Sequence, residues 1–148
     1  MQNLSSDTQP GSSLAVMPTK HILIIEDNPV HQRLMENELR GDYELAFAAD
    51  GQTAQAYLKD GLPLKFDLLV LDSLIPARPG EQPNSAEAIE ILKNAGAGPA
   101  VVVVSGSPTD DLRAEFRRFG VSRIFEKPFS LTEFREYIDA LLRETEAK

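Results

Sequence analysis

Five polar side chains suited to phosphate or cation chemistry each follow a short apolar run of the chain. They are Glu26, Asp27, Asp72, Ser105 and Lys127. Hard divalent cations such as Mg²⁺ prefer carboxylate oxygens, and crowded carboxylates attract such a cation because they repel one another. If the runs converge, we expect Asp27 and Asp72 to ligate the cation directly and the longer Glu26 to reach it through water.

The apolar runs have the length and composition of strands. Three of the five are almost entirely apolar, which is typical of parallel strands covered by helices on both faces. Helical patterns alternate with them, and this alternation predicts an α/β fold of βα units. The predicted strands are Ile22–Ile25, Tyr43–Ala48, Phe66–Leu71, Ala100–Val104 and Arg123–Glu126.

The helical segments are bounded by capping residues. Asn28 followed by Pro29 is typical of a helix start, and Ser130 with Glu133 forms a capping-box pattern. Glycines favour helix ends. The predicted helices run from Pro29 to about Gly41, from after Asp50 and Gly51, from Asn84 or Ser85 to Gly96, from near Thr109 to Gly120, and from Ser130 onward.

Apolar residues at helical spacing predict which helix faces cover the sheet. In the first helix we expect Val30, Leu34 and Leu39 to face the sheet. The later helices have corresponding stripes, which are Ala88, Ile89, Leu92 and Ala95, then Leu112, Phe116 and Phe119, then Phe134, Ile138 and Leu141.

The predicted topology brings the five polar residues to one place. In a parallel α/β sheet, ligands bind in the crevice outside the carboxyl ends of the strands. Each residue alone is explained by turn formation or by ordinary solvation. Three carboxylates, one hydroxyl and one lysine at the same edge are better explained by a shared site.

These segments resemble the response-regulator receiver family, including its stand-alone chemotaxis type. The resemblance covers the chain from Lys20 onward and rests on four motifs in order, which are Ile-Ile-Glu-Asp-Asn-Pro, Leu-Val-Leu-Asp-Ser, Val-Val-Ser-Gly and Lys-Pro-Phe. It implies a three-layer, doubly wound, flavodoxin-like fold whose five parallel strands have the order 2-1-3-4-5. It also implies that Asp72 accepts a phosphoryl group and that the backbone carbonyl of Leu74 joins the Mg²⁺ ligands.

The resemblance also implies a mechanism of signalling. Lys127 and Mg²⁺ would hold the phosphoryl oxygens while Asp72 attacks, so the protein would catalyse only its own phosphorylation and dephosphorylation. The donor would be a sensor histidine kinase, a histidine phosphotransfer protein or a small acyl phosphate. Ser105 would then move inward and change a surface formed by the fourth helix, fifth strand and fifth helix, which a downstream protein reads.

Two features depart from the family pattern. An aromatic residue is usual three positions before the lysine, but that position is Ile124 here. The neighbouring Phe125 is expected on the opposite face of the strand, so the hydroxyl–aromatic coupling of the family is in question. The connection 73–84 is several residues longer than usual, and we interpret it equally as a partner-recognition loop or as a tolerated insertion.

Composition limits the remaining possibilities. The chain of 148 residues has a formal net charge of -8, which disfavours direct nucleic-acid binding. It has no cysteine and no membrane-length apolar run, so we expect a cytoplasmic protein without membrane contact. We also expect a monomer or a weak dimer. Residues 1–19 are polar and predict a flexible tail before a receiver domain at 20–148.

Other interpretations of the same sequence remain open. One is a receiver-like scaffold that works without phosphorylation, and another is a receiver domain excised from a hybrid histidine kinase. A haloacid-dehalogenase-type phosphatase is disfavoured because Leu74 stands where that family has a second aspartate. A nucleotide-binding flavodoxin-like protein is disfavoured because no glycine-rich loop follows the first strand. His21 and His31 lack partners at metal-ligand spacing and receive no predicted role.

Overall fold

The structure is a computed structural model that describes residues 19–60 and 66–147. The predicted flexible tail, apart from Thr19, lies outside the described residues. Strands and helices alternate along the described chain as the apolar pattern predicts. The strands are β1 (His21–Ile25), β2 (Glu44–Ala48), β3 (Leu68–Asp72), β4 (Ala100–Ser105) and β5 (Arg123–Glu126). The helices are α1 (Pro29–Leu39), α2 (Gly51–Asp60), α3 (Ser85–Ala95), α4 (Asp110–Arg118) and α5 (Leu131–Ala147).

The five strands form one parallel sheet in the order β2-β1-β3-β4-β5. This is the predicted 2-1-3-4-5 order, so the prediction of a doubly wound flavodoxin-like fold is confirmed. Strand β2 lies on one side of β1, and β3, β4 and β5 follow in order on the other side, so the strand order reverses between β1 and β3. The crevice beside these two strands is where such folds bind ligands.

Helices cover both faces of the sheet and enclose two separate apolar cores. Alternate residues of each central strand point into one core or the other, as in β3, where Leu69 and Leu71 face one side and Leu68 and Val70 the other. Helices α2, α3 and α4 complete the core that contains Leu69 and Leu71, and helices α1 and α5 complete the core that contains Leu68 and Val70. The two cores hold the central strands rigidly, and therefore also the residues at their carboxyl ends.

The predicted caps are present at the helix starts. The side chain of Asn28 accepts hydrogen bonds from the backbone N–H groups of Val30 and His31, and Thr109 and Ser130 accept from the N–H groups of Leu112 and Glu133. These bonds satisfy N–H groups that have no partner within the helix.

The predicted core face of α1 is partly wrong. Leu39 is buried, but Val30 and Leu34 are 63% and 44% exposed, and Met35 is buried instead. The reason is helical geometry, because Met35 and Leu39 are four residues apart and share a face, whereas Val30 and Leu34 form a neighbouring stripe turned toward solvent. Elsewhere the predicted stripes pack against the cores, joined by Ile91 and Leu142, which the prediction omitted.

The long connection between β3 and α3 is folded against the domain. Ile75 is fully buried and exchanges two backbone hydrogen bonds with Asn84. The carbonyls of Pro76 and Ala77 accept hydrogen bonds from the first two N–H groups of α2, those of Gly51 and Gln52. The base of this loop is therefore held to the domain by Ile75 and by backbone hydrogen bonds, whereas Leu74 and residues 78–84 are exposed.

None of the helices among the described residues is both long enough and apolar enough to cross a bilayer.

Candidate functional site

The five predicted site residues all lie at the carboxyl edge of the sheet. Glu26 and Asp27 follow β1, Asp72 and Ser105 are the last residues of β3 and β4, and Lys127 follows β5. Glu26, Asp72 and Ser105 are buried, and Asp27 is more accessible to solvent. Parallel strands of similar register bring these positions together although up to 101 residues separate them in the chain.

The three carboxylates form one cluster. One oxygen from each of Glu26, Asp27 and Asp72 lies within 4.8 Å of the other two. Three carboxylate oxygens at such spacing, with one side open to solvent at Asp27, fit the chemistry of a hard divalent cation that keeps water at its other coordination positions. The residues present are therefore suited to such an ion.

Lys127 is the counter-charge of this cluster. Its Nζ donates to Asp72 Oδ2 at 2.8 Å and to Glu26 Oε1 at 3.0 Å, and it lies 3.0 Å from His31 Nδ1. The three donors of an ammonium group thus have three partners. Lys127 is followed by a cis peptide bond to Pro128.

The burial of these charges shifts their pKa values. Burial, and next the negative charge of Asp72, raise the pKa of Glu26 to about 7, although Lys127 and the backbone N–H of Asn28 oppose the shift. Burial acts to lower the pKa of Lys127, but hydrogen bonding and charge from Asp72 and Glu26 more than offset it, so the pKa is raised. The ammonium therefore stays charged at neutral pH.

The acceptor candidate Asp72 is fixed at both of its oxygens. Oδ2 accepts from Lys127, and Oδ1 accepts from the backbone N–H of Leu74 at 2.9 Å. The N–H contact brings the backbone of Leu74 beside the carboxylate, where the resemblance predicts its carbonyl to act. The ligand role of that carbonyl stays a prediction.

Two residues at the site were missed by sequence reasoning. His31, which received no predicted role, contacts Lys127 and lies 3.8 Å from Glu26. Ser73 donates a hydrogen bond to the hydroxyl of Ser105 at 2.8 Å. Both could have been recognised, because His31 is in the first turn of a helix that starts at the same sheet edge, and Ser73 directly follows Asp72.

Ile124 and Phe125 lie on opposite faces of β5, as predicted. Ile124 packs with the core beneath α2, α3 and α4, whereas Phe125 packs with the core on the α1 and α5 side. Phe125 contacts the rings of Phe129, Phe134 and Tyr137 there. It therefore cannot replace an aromatic residue at position 124, which lies on the same face of the sheet as Ser105.

The curated proteins similar to the chain include a sensor histidine kinase and a probable transcriptional regulatory protein. The chain is 30% identical over 121 residues to the sensor histidine kinase TmoS of Ectopseudomonas mendocina, matching 82% of this chain and 12% of TmoS. It is 29% identical over 148 residues to a probable transcriptional regulatory protein of Picosynechococcus, matching 95% of this chain and 56% of that protein. The chain thus spans only part of the length of either relative.

Solved structures share the fold. A CheY-like receiver domain protein from Methanospirillum hungatei has a TM-score of 0.74 at 22% identity, covering 88% of this chain and 98% of that one. The Mn²⁺-bound form of the response regulator Rcp1 has a TM-score of 0.63 at 24% identity, covering 82% and 91%. The family model of the response regulator receiver domain matches residues 22–139, which include all five site residues. The chain therefore belongs to the response regulator receiver family of two-component signalling.

Proposed function

We propose that the chain is a phosphorylation-dependent switch whose phosphoryl acceptor is Asp72. The observation that carries this proposal is the contact of Lys127 Nζ with the Asp72 carboxylate at 2.8 Å inside a cluster of three carboxylates. A carboxylate at a strand end, paired with an ammonium group, can act as a nucleophile without a separate base.

The proposed reaction moves one phosphoryl group. An oxygen of the Asp72 carboxylate attacks phosphorus and forms a P–O bond, while the P–N bond of a phosphohistidine breaks and the imidazole leaves. With acetyl phosphate the bond that breaks is P–O, and acetate leaves. Water later attacks the phosphorus of the acyl phosphate, the P–O bond to Asp72 breaks, and inorganic phosphate leaves, which restores the carboxylate. The chain acts only on its own aspartate and is not an enzyme for an independent substrate.

The residues of the chain position and neutralise the reacting groups. Lys127 is placed to contact an oxygen of the transferred group, and the N–H of Leu74 holds Asp72 in orientation. Phosphoryl transfer depends mainly on such positioning and charge stabilisation. Mg²⁺, held by Glu26, Asp27, Asp72 and the carbonyl of Leu74, would supply the further positive charge that the phosphoryl oxygens require.

We infer partners from the same chemistry. The donor is a sensor histidine kinase or a histidine phosphotransfer protein. We infer a cytoplasmic location, which the absence of cysteine from the chain supports. The output is a changed surface over α4, β5 and α5, next to the Ser105 loop, read by a downstream protein with the chain as a monomer or weak dimer. The chemistry is the same whether the domain stands alone or within a longer protein.

Incubation with acetyl phosphate and Mg²⁺, followed by intact-mass measurement, tests the proposal. We expect a phosphate adduct on the wild type and none on Asp72→Asn. Asp111→Asn is a matched control, because Asp111 is an exposed aspartate in the first turn of α4 and is outside the site. A wild type without adduct, or an adduct that persists in Asp72→Asn, contradicts the proposal and favours a scaffold that works without phosphorylation.

A further inference from the structure

Two buried serine hydroxyls lie next to each other behind the acceptor. Ser73 and Ser105 are 2% and 1% exposed, and the hydroxyl of Ser73 donates to that of Ser105 at 2.8 Å. The backbone N–H of Ser73 also donates to the carbonyl of Val104 at 3.0 Å, which fixes Ser73 against β4. The pair therefore connects the residue after Asp72 with the last residue of the neighbouring strand.

The Ser105 hydroxyl is engaged with Ser73 and not with the acceptor. Both oxygens of Asp72 have other partners, Lys127 and the N–H of Leu74. Within residues 19–60 and 66–147, no side-chain hydrogen bond joins Ser105 to Asp72. The structure thus shows the Ser105 hydroxyl in an arrangement that does not contact the acceptor.

A move of Ser105 toward a phosphoryl group has a consequence for Ser73. If Ser105 turns to donate to a phosphoryl oxygen on Asp72, the Ser73 hydroxyl loses its acceptor. Because Ser73 is almost wholly buried, its hydroxyl has little access to solvent, and a buried donor without a partner is unfavourable. The hydrogen bond between the serines therefore favours the unphosphorylated arrangement.

The neighbouring side chain on β5 provides no other polar contact for the Ser105 hydroxyl. Ile124 packs on the same face of the sheet as Ser105, pairing in register with Val103, and has neither a ring nor a polar group. Within the described part of the chain, Ser73 is the side chain that hydrogen-bonds to the Ser105 hydroxyl.

We propose that Ser73 is a positioning residue that holds the Ser105 hydroxyl away from Asp72 until Asp72 is phosphorylated, and so sets the balance between the two arrangements. The proposal rests on the proposed function, namely phosphorylation of Asp72.

Binding of trifluoroberyllate, a stable mimic of the phosphoryl group, in the presence of Mg²⁺ provides the test. Fluorine NMR of the bound anion gives its affinity for the wild type, Ser73→Ala, Ser105→Ala and the double variant. We expect Ser73→Ala to tighten binding about 2- to 12-fold, the range for loss of one neutral hydrogen bond. In the Ser105→Ala background the same change should have less than a twofold effect, because the coupled hydroxyl is absent.

Three controls separate this coupling from general effects. Ser122→Ala changes an exposed serine outside the site and should leave the affinity unchanged. Ser73→Thr retains the hydroxyl and should bind like the wild type. Ser73→Cys nearly preserves the volume and keeps only a weak donor, so it should tighten binding even if the alanine variant folds poorly.

Each outcome supports or overturns the proposal. Unchanged or weaker binding by Ser73→Ala and Ser73→Cys, or equal effects with and without the Ser105 hydroxyl, would show that Ser73 does not hold Ser105 back. Failure of the wild type to bind the mimic contradicts the proposed function itself. The two failures are therefore distinguishable.

Discussion

At the scale of single residues, the site is a balance of buried charges. Glu26 and Asp72 are both buried acids, and each forms an ion pair with Lys127. Removal of one partner of a buried ion pair leaves an uncompensated charge and is strongly unfavourable. The lysine therefore has two separable roles, one in the stability of the resting site and one in the reaction.

We expect Lys127→Met to slow phosphorylation from acetyl phosphate on the order of 10²-fold, the usual effect of removing one electrostatic contact to a reacting oxygen. The rate is followed by intact mass at saturating Mg²⁺. Lys93→Met, at an exposed lysine in the last turn of α3, is the matched control and should react like the wild type. Equal rates for the two variants would exclude Lys127 from the reaction.

The raised pKa of Glu26 predicts a pH dependence of stability in chelator. The folded-state pKa of about 7 lies above the ordinary glutamate value, so the folded protein keeps a proton that the unfolded chain has released. The contribution of Glu26 to stability is then fully present below the unfolded pKa and is lost as the pH rises through 7. We expect the melting temperature to fall by roughly 3–6 °C between about pH 5.5 and 8, as for a loss on the order of 1 kcal/mol.

Glu26→Gln is the control for this pH dependence, because glutamine does not titrate. Its melting temperature should vary less over the same pH interval, as measured by circular dichroism with EDTA present. A variant with the same slope as the wild type would assign the pH dependence to other groups.

At the scale of elements, the connection 73–84 shows how a long loop can be part of the core. Ile75 is fully buried in the core beneath α2, α3 and α4, and the carbonyls that follow it cap the start of α2. The base of the loop thus links the acceptor strand to two helices. The exposed tip, which includes Arg78, remains available for contacts.

We expect Ile75→Ala to lower the free energy of unfolding by about 2–5 kcal/mol, because it leaves a cavity in a packed core. Arg78→Ala, at the exposed tip of the same loop, should change it by less than about 0.5 kcal/mol. Urea denaturation of both variants measures the difference. A neutral Ile75→Ala would mean that the loop is a tolerated insertion that does not contribute to the core.

The sequence was sufficient to predict the elements whose signals are local. Apolar runs indicated the strands, and caps such as Asn28 and Ser130 marked helix starts, because both signals depend on neighbouring residues. The buried face of α1 was predicted only in part, with Leu39 right and Val30 and Leu34 wrong. Two apolar stripes compete on that helix, and packing against α5 and the sheet decides between them. Contacts across the site, such as Ser73 with Ser105, depend on side-chain orientation and required coordinates.

At the scale of the whole molecule, folding concentrates acidic charge at one edge of an already acidic protein. Folding brings Glu26, Asp27 and Asp72 together with Lys127, so three acids share one ammonium group, in a chain whose net charge is -8. The unfolded chain has no such cluster. A divalent cation should therefore bind the native state in preference to the unfolded chain and stabilise it.

We expect Mg²⁺ at about ten times its dissociation constant to stabilise the wild type by about 1.4 kcal/mol, which raises the melting temperature by several degrees. Asp27→Asn should melt at the same or a higher temperature than the wild type in chelator, because it removes repulsion at an accessible position of the cluster, but it should lose most of the response to Mg²⁺. Differential scanning calorimetry at matched ionic strength separates site binding from general screening. Equal Mg²⁺ responses of Asp27→Asn and the wild type would show that the ion stabilises the protein from somewhere other than this cluster.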